Sequence, residues 1–403
     1  MSRVRDFWNN NRRNPNAIAY TVFIVGAIFY PSIVQFLNGG NGDYLVGFAA
    51  DGGIYILMAI GLNVVVGFAG LLDLGYAAFF AIGSYTYATV ASYHLGVTPI
   101  GHALHLPFWL ALLIGMFVAA AAGAILGAPT LRLRGDYLAI VTLGFGEIVP
   151  IVFRNGDVWT GGVPGISGLD IPSLPVWFTG PWVGEDFAWV SPFKFFTGNL
   201  TAYYVLMCFL IAIVVFAVHN LYNSRLGRAW MAVREDETAA AASGVNTVSV
   251  KLLAFSIGAA TSGFAGAFYG AKLSYVSSEN FGFVVSVTVL AMVVLGGMGN
   301  IPGAMLGAAV LYYILFRLLP DAPAQLQALA SSLGLDFLNQ SNPNVGWPGI
   351  GEEVSRLKYV IFGLILVGIM LLRPQGLLPS QIRRQELKHE EHEALAAPRQ
   401  LQG

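Results

Sequence analysis

The chain has 403 residues, of which 56% are hydrophobic and only 11% charged, and its formal net charge is −1. A soluble domain carries roughly a quarter charged residues, so this balance excludes an ordinary water-soluble globule and makes lipid the main solvent. A charge near zero leaves no footprint for nucleic acid, and the single Cys208, inside an apolar run, excludes a disulfide framework or a Cys-based metal site.

In chain order, residues 1–17 carry Arg3, Arg5, Arg12 and Arg13 and read as a cytoplasmic N-terminal segment. The apolar stretch that follows is too long for a signal core and no small-residue cleavage site succeeds it, so it reads as a first membrane span. Apolar runs predict ten transmembrane helices, near 18–37, 45–66, 74–92, 107–128, 137–153, 203–222, 252–275, 284–298, 302–320 and 356–373. The expected fold is therefore an all-α polytopic membrane protein whose membrane domain covers 18–379.

With the N-terminus inside, Arg3, Arg5, Arg12, Arg13, Arg132, Arg134, Arg225, Arg228, Arg234, Lys251, Arg373, Arg383, Arg384, Lys388 and Arg399 are cytoplasmic. Only Arg154, Lys194, Lys272, Arg317, Arg356 and Lys358 fall on or near the other side. That bias places both termini in the cytoplasm. It also makes 154–202 and 321–355 external loops and 223–251 a cytoplasmic loop. The external loops contain "TGGVPGISG" and "NPNVGWPGIG", turn chemistry rather than helical period. Residues 380–403 are charged and free of aromatics, which predicts a solvated, partly disordered tail.

Small residues recur every four positions at Gly258, Ser262, Gly266 and Gly270, and again at Gly299, Gly303 and Gly307. In lipid such ladders let helix backbones approach closely, within one chain or between subunits. "VVVGFAGLLDLG" (64–75) and "MVVLGGMGNIPG" (292–303) are both apolar runs broken by glycines three apart, Gly67 with Gly70 and Gly296 with Gly299. Paired interruptions of this kind point to a pore or hinge. Asp73 stands at the second-to-third joint and Glu147 inside the fifth span; such carboxylates are expensive and default to a pathway role. Arg154, seven residues after Glu147, shares its helix face and is positioned to pair with it.

No GxxxxGK[ST], HExxH or GxSxG motif occurs, and His94, His102 and His105 scatter across one external loop. Enzyme chemistry is thus unsupported, with no catalytic residue and no metal or cofactor site to nominate. A helical pore or permease remains.

"AVREDETAAAASG" (232–244) is a charged island in this apolar chain. Acidic residues followed by alanines and Gly244 predict one short helix over Arg234–Gly244, with a small face suited to a groove on another protein. With this segment, several blocks in order resemble the branched-chain amino-acid permeases of bacterial ABC importers, the LivM type. They are "GLNVVVGFAGLLDLGYAAFFAIGSYT" (61–86), "LRLRGDYLAIVTLGFGEI" (131–148), "TGGVPGIS" (160–167), "LGRAWMAVREDETAAAASGVN" (226–246), "LAMVVLGGMGNIPGAMLGA" (290–308) and "RPQGLLP" (373–379).

The resemblance implies an ABC importer permease fold and makes the island a coupling helix, carried by Arg234, Glu235, Asp236, Glu237, Thr238, Ala239, Ala240 and Gly244. Thr238, Ala239 and Ala240 fall on the EAA part of the family's loose EAA-x-x-x-G pattern. Thr stands where Glu is expected, and the downstream apolar-Pro part is absent. The resemblance further implies a homologous second permease subunit, two ATPase subunits holding ATP and Mg, an external substrate-binding protein and a bacterial cytoplasmic membrane. A urea or short-chain amide importer is an alternative within the class; an ion-driven carrier or channel is one outside it.

Overall fold

The computed structural model describes residues 15–37, 42–130, 136–172 and 200–333, with isolated positions from 335 to 378. The N-terminal arginines, Arg132 and Arg134, the loop part 173–199, most of the tenth expected span and the 380–403 tail lie outside them.

The chain is helical, and eight helical stretches among the described residues are long and apolar enough to cross a membrane. This is a multi-pass membrane protein. Helix α1 (Pro15–Leu37) shows Val22, Ile24, Ile28 and Phe29 to the outside, as a lipid-facing helix does. Helix α2 (Asp43–Leu62) runs on through a π-helical turn, Asn63–Phe68. Tyr204 and Tyr30 hold α1 to its neighbours, the Tyr204 hydroxyl donating to the Ala27 carbonyl at 3.0 Å and that of Tyr30 to Leu45 at 3.2 Å.

Helix α3 (Tyr76–Val90) has 15 residues, shorter than the expected 74–92 span, and is nearly all buried inside the bundle. At 1.5 Å per residue it reaches only about 22 Å. Around it stand α4 (Phe108–Thr130), α5 (Asp136–Arg154) and, at the centre, α9 (Thr247–Leu273), while α6 (Leu200–Tyr222) packs on α2. Between α6 and α9 lie two short helices, α7 (Arg225–Glu235) and α8 (Glu237–Ala242). Helices α10 (Phe283–Gly296) and α11 (Ile301–Tyr313) form a tight hairpin. After α11 a π-turn, Ile314–Leu318, leads into α12 (Leu319–Ser332). The expected external loop at 321–355 therefore opens as helix, because "AQLQALA" is made of strong helix formers.

Small residues set the approach of α9 to α3. A side chain at Gly266 would collide with the Phe80 carbonyl of α3, and one at Gly258 with Val65 of the π-turn that follows α2. Ser262 donates to the Tyr76 carbonyl at 3.3 Å, and Ser84 returns a 2.6 Å bond to Gly266. Gly270 lies against Val276 and Leu169. A second small face of α9, with Ala259, Gly263 and Ala267, meets Gly123, Ala119 and Gly115 of α4. In the hairpin, Gly296 and Gly307 touch across the crossing and Gly303 packs on the Gly296 carbonyl. Gly299 instead occupies the turn, at φ +81°.

At the end of α9 opposite α7 and α8, where its C-terminus lies, two short ribbons close helix ends. Strand β1 (Ala91–Ser92) pairs antiparallel with β2 (Leu104–His105), and β3 (Ile166–Ser167) with β4 (Tyr275–Val276). His105 Nδ1 meets Asp170 Oδ2 at 2.7 Å, and Tyr87 donates to the Asp170 carbonyl at 2.6 Å. The described part of the 154–202 loop thus folds back on the bundle.

Candidate functional site

The charged island is two helices rather than one. Ser224 caps α7 by accepting from the Leu226 and Gly227 N–H groups at 3.1 and 3.3 Å. Trp230 and Val233 face inward, and the Trp230 indole donates to the Val250 carbonyl at 2.8 Å, fixing α7 to the base of α9. At Asp236 the backbone turns extended, and its carboxylate accepts from Thr238 and Ala239 N–H at 2.7 and 3.0 Å. A short acidic side chain that bonds its own downstream backbone competes with the helix and restarts it. So Glu235 ends α7, Asp236 caps α8, and only Glu237 is acidic within the first turn of α8. Gly244 at φ +86° closes α8, with Val245 N–H donating to the Ala240 carbonyl at 3.1 Å.

The faces of α8 are sharply divided. Ala240 is buried against the protein, while Glu235, Asp236, Thr238, Ala239, Ala241 and Ala242 are exposed. Glu237 leans inward: its Oε1 meets Lys251 Nζ at 2.6 Å, and the Lys251 side chain is only 9% exposed. The outward surface is thus small, smooth and flanked by Glu235 and Asp236.

Behind that surface, Arg234 donates through Nη1 to the Gly67 carbonyl. Its side chain fills the space beside Gly70, where a Cβ would stand 2.8 Å from Arg234 Cγ and where φ is +71°. Gly67 lies in the π-turn that ends α2. Asn63, in the same turn, accepts from the Gly299 N–H at 2.8 Å, and a Cβ at Gly67 would stand 2.5 Å from that nitrogen. The two glycine-broken segments of the sequence therefore meet in space. Residues 376–378 lie across the second break: Leu377 and Leu378 donate to the Leu295 and Gly296 carbonyls at 2.8 and 3.0 Å, and Asn300 donates to Leu378 at 2.9 Å.

Of the two carboxylates singled out in the sequence, Asp73 is 1% exposed in the connection between α2 and α3. It accepts from the Gly75 N–H at 2.9 Å, and the adjoining Leu74 N–H donates to Thr142 of α5 at 3.0 Å. Burial pushes its carboxyl up to about 7, against the opposing pull of Gly75 and Thr142. Glu147 is exposed on α5, and no ion pair joins it to Arg154 among the described residues. Seven residues place two side chains on one helix face about 10 Å apart, too far for contact unless both extend.

The sequence reading missed a different charge pair, one that joins two of the candidate spans. Asp51 of α2 and Lys272 of α9 are joined at 2.5 Å, and Lys272 also donates to the Gly47 carbonyl at 2.9 Å. No local pattern announces a pair so far apart in sequence. It missed Asn63 for the same reason.

A family profile described as "Branched-chain amino acid transport system / permease component" matches residues 44–370. The chain belongs to that permease family. It is 38% identical over 348 residues to the high-affinity branched-chain amino acid transport system permease protein LivM of Salmonella typhimurium, covering 83% of this chain and 69% of that one. With the LivM protein of Escherichia coli the identity is 38% over 349 residues, covering 83% and 70%. A second permease protein of the same kind, LivH of Escherichia coli, is 34% identical over 144 residues, 34% of this permease and 43% of LivH. No solved structure matches this permease.

Proposed function

We propose that this permease forms one half of the membrane domain of an ATP-binding-cassette importer. It carries branched-chain amino acids such as leucine, isoleucine and valine across a bacterial cytoplasmic membrane. A homologous second permease supplies the other half of the path. Two ATPase subunits, which hold ATP and Mg, drive it from the cytoplasm, and an external binding protein delivers substrate. The names of the LivM relatives support the substrate class, and the separate similarity to LivH supports a pore built from two related chains.

The observation that carries the coupling part is the exposed alanine face of α8 backed by the Arg234–Gly67 bond. A face this small buries little against its own chain yet fits a groove on a partner, with Glu235 and Asp236 at the rim. Behind it, Arg234 and Trp230 tie the docking element to the ends of α2 and α9. Displacement of α8 by closing ATPases is then handed directly to the glycine breaks at Gly67–Gly70 and Gly296–Gly299. Those breaks allow the permease halves to rock between outward- and inward-facing states. Selectivity resides mainly in the binding protein, so the path itself holds substrate weakly.

The test is uptake by vesicles containing the complete assembly. Leucine, isoleucine and valine accumulation that requires ATP, the ATPases and the binding protein supports the reading. Accumulation by this permease alone, without ATP, contradicts it.

A further inference from the structure

The Asp51–Lys272 pair joins α2 to the C-terminal end of α9, where Lys272 is the last residue but one. Asp51 is eight residues into α2, about 12 Å below its outer end at 1.5 Å per residue. Its side chain is nevertheless 39% exposed, whereas Lys272 is 6% exposed. A carboxylate in that position does not face hydrocarbon; it faces a wet path or a polar partner. Lys272 meets Oδ1 and is itself anchored on the Gly47 carbonyl, so the ammonium is held back in the wall and the carboxylate projects.

The surroundings of Asp51 are aromatic. Tyr44, Phe48, Asp51 and Tyr55 follow at helical spacing on one side of α2, none of them fully buried. Across from them, Tyr312 stacks at 4.7 Å from Phe48 and 5.2 Å from Tyr55, and Phe316 lies 5.3 Å from Tyr55. Gly52 makes room for this: a Cβ there would press on the Tyr312 ring at 2.9 Å. One projecting carboxylate beside a wall of rings suits a ligand with a cationic end and an apolar body.

We propose that this is a substrate subsite in the outer half of the translocation path. Asp51 receives the α-ammonium group of a zwitterionic amino acid, Lys272 positions Asp51, and the rings of Phe48, Tyr55 and Phe316, backed by the buried Tyr312, take the branched side chain. The inference rests on the proposed transport of branched-chain amino acids and adds the residues that touch the substrate.

The rival explanation is that the pair only ties α2 to α9. The double variant Asp51→Lys with Lys272→Asp separates the two, since it keeps a tie and destroys the ammonium site. In vesicles containing the complete transporter and its binding protein, Asp51→Asn is expected to slow leucine uptake roughly tenfold or more, the scale of one lost hydrogen bond to a charged group. The double variant is expected not to recover it. Assembled yield is read for each variant. Should either charge variant fail to assemble, Phe48→Ala, which leaves the pair intact, decides: several-fold slower leucine uptake supports the subsite. Wild-type uptake in Asp51→Asn or in Phe48→Ala, or recovery in the double variant, overturns the subsite and leaves the transport reading standing. Wild-type vesicles that carry no leucine at all overturn both.

Discussion

Arg234 reaches from the end of α7 to donate a hydrogen bond to the carbonyl of Gly67 in the π-turn that closes α2. The two residues are 167 positions apart in sequence, and the bond joins the charged island to the first glycine break of the membrane domain. Gly67 lies in the last turn before the helix ends at Phe68, and carbonyls of a last turn have no partner further along the helix, so this one is open to a side-chain donor.

Removing that donor uncouples the two. Arg234→Ala is expected to assemble with its partners yet to lower both substrate-stimulated ATP hydrolysis and leucine uptake roughly tenfold, the scale of a charge-assisted bond. Parallel rate measurements on the reconstituted transporter check this. Undiminished uptake would show that the bond transmits nothing.

Glu235 and Glu237 are neighbours with opposite orientations, so reversing their charges has different consequences. Glu237→Lys faces Lys251 and leaves that side chain buried without its partner, costing roughly 1–3 kcal/mol after allowance for the half-exposed glutamate. Glu235→Lys alters only the exposed rim. Thermal unfolding is expected to drop for the first and stay unchanged for the second, while ATPase association weakens for the second. Equal midpoints for both variants count against the internal pair.

Gly266→Leu places a side chain into the Phe80 carbonyl, whereas Gly26→Leu on the outer face of α1 meets nothing within 4 Å. Overpacking of this kind costs about 1–3 kcal/mol or more. Purified yield of assembled complex is expected to fall for Gly266→Leu and to match wild type for Gly26→Leu. Equal yields would mean that the α9–α3 contact tolerates separation.

Asp73 gives a pH prediction. Its folded-state value of about 7 lies above the ordinary 3.8, so protonation favours the folded form. Stability from this group is therefore gained as pH falls from about 7 toward 4, and is absent above that window. Thermal midpoints taken near pH 6 and pH 8 are expected to differ in that direction, and Asp73→Asn should flatten the difference. A variant with the same pH slope as wild type would place the effect elsewhere.

The membrane class and most of the helices are local properties, set by apolar runs, and were readable from the chain. The exceptions are instructive. The third expected span is a 15-residue buried helix because α9 and α4 enclose it, and hydropathy does not distinguish enclosure by protein from enclosure by lipid. Asp236 divides the island because a side-chain cap beats an otherwise helical stretch, a choice decided by one hydrogen-bond geometry. Gly67 and Gly299 looked like a repeated pattern; that they touch, through Asn63, depends on packing between segments 236 residues apart. Asp51 was hidden for the same reason, since a lone carboxylate scarcely lowers the mean hydropathy of its window and its partner lies 221 residues further on.

The central claim is that the outward face of α8 receives force from an ATPase. The direct measurement is crosslinking from Ala239→Cys, in a chain whose native Cys208 is replaced by Ser, within the complete assembly in native membranes. A bifunctional thiol reagent is predicted to capture an ATPase subunit, with a yield that changes when ATP is added. Labelling of the same cysteine by an impermeant reagent supplied from outside the cell, or the absence of any ATPase adduct from an assembly shown to contain the ATPases, would contradict it.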